Sequence, residues 1–153
     1  MSRVKPWPTN ACWLSALAGL LLLSGCGKAV GRLGFAGEGT QSAALPLAAG
    51  DVAFWTDVSL DFEQPAALRY HIDLEQGGAS VATADCDPLG QLSIKVGWVE
   101  AGLGGWRSIS GSGKMLCSAH LAKAGLTTVR ATLAFTTKPT TLTFRRADLV
   151  LKQ

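Results

Sequence analysis

The side chains in this chain that can do chemistry are few and widely spaced. His71 and Asp73 are two apart, in "LRYHIDLEQGG", so on a strand both point the same way. A nucleophile beside them would complete a triad. No G-x-S-x-G elbow occurs, so the pair reads as a solvated strand face and no catalytic residue is assigned. Asp85 and Asp87 flank Cys86 and precede Pro88 and Gly90. Carboxylates two apart can bind calcium, but calcium takes roughly six to eight oxygens and the remaining ligands are not visible. Asp and Pro also build turns, so a turn is the expectation here and calcium the alternative. "SGSGKM", residues 110–115, approaches a phosphate loop but has Ser108 where glycine is needed and Met115 where Ser or Thr is needed. It reads as a Gly-rich hairpin, and no cofactor is expected.

Aromatic side chains offer one more kind of chemistry, stacking on sugar rings. Trp106, in "GLGGWRS", sits among glycines in a stretch that reads as a loop, with Arg107 beside it. These two are the candidate ligand contacts. Trp98 falls in phase with Leu92, Ile94 and Val96 and is expected in the core.

The elements that must position these residues read as strands. Leu68, Tyr70, Ile72 and Leu74 alternate with Arg69, His71, Asp73 and Glu75, and the run ends at Gly77-Gly78. "DVAFWTDVSL", "QLSIKVGWVE", "TVRATLAFTT" and "TLTFRRADLVL" show similar alternation, the last with a phase shift near Arg146-Ala147 that suggests a bulge. No stretch of useful length has a helical period. Short strands separated by turn signals predict an all-β fold, an antiparallel β-sandwich. The formal net charge is +3, and basic residues are scattered apart from Arg145-Arg146. A nucleic-acid partner needs a basic stripe or cluster, so none is expected.

The N-terminus has a different character. Arg3 and Lys5 precede an uncharged apolar run, Ala11–Leu23, and small residues follow. A membrane-spanning helix needs about 20 apolar residues, so the 13 here fit the apolar region of an export signal. Leu23-Ser24-Gly25-Cys26 resembles the lipobox of bacterial lipoproteins. That resemblance implies cleavage before Cys26, lipid on its thiol and attachment to a membrane. Gly27 rather than Asp after the cysteine implies the outer membrane. Cys12 would leave with the signal and Cys26 would carry lipid, which leaves Cys86 and Cys117 to form a disulfide in an oxidising compartment. The expected organisation is a signal helix over 1–25, a lipidated Cys26 with a flexible Gly-rich tether over 26–39, and a sandwich over 40–153. In an alternative reading of the tether, Leu33 and Phe35 pack on the body as an edge segment.

"TLTFRRADLVLKQ" resembles the closing strand of jelly-roll domains of the galactose-binding and carbohydrate-binding type, through Phe144 and Asp148. That resemblance implies a jelly-roll-like sandwich. The expected function is a non-catalytic binding or structural module on the bacterial envelope, contacting a protein or a glycan. The alternatives are a carbohydrate-binding module using Trp106 and, as a weaker case, a hydrolase.

Overall fold

A computed structural model describes residues 27–153. The expected signal helix, Cys12 and Cys26 lie outside the described residues. Within them the chain forms nine strands: β1 (Ala29–Phe35), β2 (Gly39–Leu47), β3 (Gly50–Glu63), β4 (Ala67–Gln76), β5 (Ala79–Cys86), β6 (Leu92–Leu103), β7 (Trp106–Leu121), β8 (Gly125–Thr137) and β9 (Leu142–Lys152). They build two antiparallel sheets, one ordered β1-β9-β3-β7-β6 and the other β2-β8-β4-β5. First pairs with last, second with penultimate, β3 with β7 and β4 with β5. This is a long hairpin rolled up, the connectivity of a jelly roll. Strand β6 is an extra strand on the outside of the roll.

The alternation read in the sequence explains the core. From the first sheet Phe54, Val58, Leu60, Leu149 and Leu151 point inward; from the second Tyr70, Ile72, Leu74, Val129 and Leu133 meet them, all of them buried. Each large aliphatic side chain removed from water contributes about 1.5–3 kcal/mol. Gly77 and Gly78 have φ of 60° and 81°, the conformation a two-residue turn between twisted strands requires, and they join β4 to β5. The suspected bulge near Arg146 lies at Arg145: Phe144 opposes Leu60 and Arg146 opposes Ser59, so Arg145 is the extra residue.

Cys86 and Cys117 form a disulfide with Cα atoms 5.4 Å apart, joining β5 of one sheet to β7 of the other. The bonded cysteines are 31 residues apart in sequence, and a link of that span stabilises a fold by about 3–4 kcal/mol in the chain-entropy picture.

Three sequence expectations are corrected. The segment read as a flexible tether is strand β1, paired with β9 from Ala29 to Phe35. Leu33 and Phe35 are buried, and the Phe35 ring lies 5.6 Å from that of Tyr70. The sandwich therefore begins at Ala29, not at residue 40. Its glycines misled: Gly31 sits where a Cβ would come within 2.2 Å of Leu45 in β2, so here glycine permits close approach of the two sheets. Residues 110–115 are not a hairpin but the middle of β7. Trp106 is not in a loop either; it is the first residue of β7, just after the turn at Gly104-Gly105.

Candidate interaction faces of the sandwich

The outer face of the five-stranded sheet has a charged centre. Asp57 and Asp61 project from β3 and Asp148 from β9, all largely covered. Arg32 of β1 binds Asp148 at 2.6 Å and Asp57 at 3.3 Å. Because Arg145 is a bulge residue, it and Arg146 both reach this face, one to Asp61 and the other to Asp57 at 2.9 Å. Ser108 of β7 donates to Asp61 at 2.6 Å. The Arg145 guanidinium, with Ser108 second, holds the Asp61 carboxyl below its ordinary range. Trp55 also projects from this face and is buried there beneath Lys152, whose Nζ lies 3.6 Å from the ring centroid.

Strand β6 borders this face and departs from the expected alternation. Residues directly opposite in an antiparallel pair share a face. Leu92 opposes the buried Met115, whereas Ile94 opposes Lys114 and Val96 opposes Ser112, whose side chains point outward. One bulge lies between Leu92 and Ile94 and a second between Val96 and Val99. Each inserts one residue and reverses the phase. Leu92 and Trp98 consequently tuck inward, and Ile94 and Val96 do not join the core that was expected for them. The glycines of "SGSGKM" provide the seats. A Cβ on Gly111 would lie 2.6 Å from the Trp98 Cα, and one on Gly113 would lie 2.8 Å from the Leu92 side chain.

The bulges leave Ile94, Val96, Val99, Ala101 and Leu103 together on the outer face. They are exposed, with 56% of Val96, 60% of Val99 and 89% of Leu103 accessible. Trp106, opposite Leu103 and 39% accessible, extends the stripe across the turn. Arg107 does not join Trp106 on this face; it faces the other way and is ion-paired with Glu100. The structure thus separates the two residues proposed as one ligand contact. Lys95 and Glu100 lie on the inner side of β6, Lys95 over the Trp98 ring at 5.2 Å.

No family model matches this chain, and neither a curated protein nor a solved structure does.

The four-stranded sheet presents a polar outer face. His71 does not pair with Asp73. Its Nδ1 lies 3.0 Å from Oδ1 of Asp85, directly opposite on β5, while Asp73 accepts from Ser80. On its other side His71 opposes Thr132, whose hydroxyl lies 2.8 Å from that of Thr40. Asp87 Oδ1 accepts from the backbone N–H of Leu89 and Gly90 at 2.9 and 2.8 Å, closing a turn. Asp85 and Asp87 thus serve different partners and do not converge. Among the described residues no three His, Cys, Asp or Glu side chains gather as a metal site. His120 pairs with Asp51 at 2.7 Å on the opposite sheet.

Sequence reasoning missed the apolar stripe and the Arg32 network. The stripe had a signal in "VGWV": a glycine before a tryptophan between two valines marks a bulge, and Gly97 has φ of 57°. The network had none, since Arg32 is 25 residues from one partner and 116 from the other.

Proposed function

We propose that this chain is a lipid-anchored protein of the bacterial envelope, held in the outer membrane through Cys26, whose sandwich is a non-catalytic binding or structural module. The lipobox-like Leu23-Ser24-Gly25-Cys26 supports the anchor. The start of the sandwich gives that anchor a geometry. Lys28 exchanges backbone hydrogen bonds with Gln153 at 2.8 and 3.1 Å, and Gln153 in turn binds Ala48. A lipid on Cys26 would hold this end of the sandwich against the headgroups with almost no slack. The turn at Gly104-Gly105, at the opposite end of β7 from Leu121, would then project away from them.

The observation that carries the binding reading is the apolar stripe of β6 with Trp106. A contiguous exposed apolar patch marks a site of interaction. The two His–Asp pairs sit on separate sheets, His71 with Asp85 and His120 with Asp51. A carbohydrate-binding reading is favoured by the exposure of Trp106 alone.

Intact-mass analysis of membrane-extracted protein tests the anchor. The mass expected begins at Cys26 with added acyl chains; a soluble protein with unmodified Cys26 overturns it. A glycan array with Trp106→Ala as control tests the second reading. Saturable binding lost in that variant favours a carbohydrate module, and its absence on every glycan leaves the protein-binding module.

A further inference from the structure

We infer that the partner of β6 is a second copy of this chain, paired antiparallel edge to edge about a two-fold axis at Gly97-Trp98. The inference rests on the reading of β6 as an interaction surface and names its occupant.

An edge strand leaves a row of N–H and C=O groups without partners, and proteins commonly blunt such edges. Three of the four edges here are blunted. β1 is short, Gly-containing and bulged at its start; β2 carries Pro46; β5 is short and bulged next to Val81. β6 is bulged too, but it is the longest of the four edge strands, with 12 residues, no proline and an apolar outer face.

Charge and face select the occupant. The bulge at Gly97-Trp98 reverses the alternation midway along β6. A two-fold axis placed there brings like face onto like face. Val96 falls opposite Val99 of the second copy and Ile94 opposite its Ala101, all on the outer face. Lys95 falls opposite Glu100 of the second copy on the inner face, and the symmetry makes that contact twice. An inward charge alone would deter edge pairing. Here the two inward charges are of opposite sign and stand at equal distances from the axis, so self-pairing brings Lys95 to the Glu100 carboxylate of the other copy, which its own Arg107 also holds, instead of setting like charges against each other. The outer stripe then doubles in width, and the sheet continues through both copies.

The test uses the full chain in bacterial membranes, with the photoreactive amino acid p-benzoyl-phenylalanine placed at Val96. Irradiation is expected to give a covalent dimer whose crosslinked peptide contains Val99 of the other copy. The same probe at Thr83, on the other sheet, is expected to give none. Lys95→Glu or Glu100→Lys alone should lower dimer yield by at least about tenfold, since each homodimer then opposes like charges twice. Co-expression of the two single variants should restore the crosslink between them, because the mixed dimer regains both opposite-charge contacts. Failure of that rescue overturns the inference. A crosslink from Val96 to a different protein overturns self-pairing but keeps β6 as a binding surface. No crosslink to any protein overturns both.

Discussion

Asp57 and Asp148 stand directly opposite each other on β3 and β9, and a single side chain from β1, Arg32, binds both. Like charges directly opposite in a sheet destabilise it. Arg32 converts that repulsion into a bridge across three strands, with Arg146 on the free oxygen of Asp57. Asp148, first, and then Asp57 hold the Arg32 guanidinium still more firmly protonated than usual. The strand mistaken for a tether is thus tied to the sheet on its outer face by charge and on its inner face by Leu33 and Phe35.

Arg32→Met removes the charge and keeps most of the stem. It is expected to lower stability by about 1 kcal/mol, the upper range for exposed ion pairs, because two carboxylates lose their shared cation. Adding Asp148→Asn to that variant should recover part of the loss, since one of the opposed charges is gone. Urea unfolding of the two single variants and the double variant measures this. Strictly additive losses would show that the two aspartates do not feel each other.

Leu33→Ala separates a strand from a tether. A buried leucine truncated to alanine costs about 2–5 kcal/mol, whereas a residue on a solvated tether changes stability by no more than about 0.5. The larger loss is expected, because Leu33 is buried opposite Leu149. A midpoint unchanged in denaturant would return residues 29–35 to the tether.

The elements differ in how much of them the sequence carries, and for physical reasons. β4 was legible because every second side chain enters the core without interruption from Leu68 to Leu74. β6 was half legible: its existence followed from alternation, but two bulges exchange its faces, and a bulge is a property of the pairing with β7 rather than of β6 alone. β1 was hidden because its glycines look like slack, while Gly31 is there to admit Leu45 from the other sheet. Of the candidate sites, the disulfide was legible from cysteine arithmetic after the lipobox resemblance. The partner of His71 was not, since Asp85 reaches it only through the β4–β5 register.

Acid should weaken the fold in part through Asp61. Its carboxyl is held below the ordinary value by Arg145 and Ser108, and that of Glu38 by Lys138 and then the Phe135 N–H. A carboxyl with a depressed folded pKa contributes stability that is complete above its unfolded value, about 4, and is lost as pH falls through the folded value. Urea midpoints should therefore fall as pH drops below about 4. Asp61→Asn should lower the midpoint at neutral pH and make this acid decline shallower. An acid decline as steep as that of the unaltered protein would remove Asp61 from the account.

Thr56 and Tyr70 bring two hydroxyls into the core from opposite sheets, and both residues are fully buried. Burial, above all, pushes the Tyr70 hydroxyl well above its ordinary pKa, so it stays protonated. Thr56 lies close enough to act on that phenol, yet neither hydroxyl has a partner in hydrogen-bond geometry. A buried hydroxyl left without a partner costs about 1–3 kcal/mol, so removing one should not destabilise. Tyr70→Phe and Thr56→Val are each expected to be neutral or stabilising by up to about 1 kcal/mol, and the double variant to show the sum of the two. A real hydrogen bond between them gives the opposite pattern: each single variant orphans the other hydroxyl and loses stability, and the double variant recovers it. Thermal or urea unfolding of the four proteins distinguishes the cases, and single-variant losses with recovery in the double would overturn the unpartnered assignment.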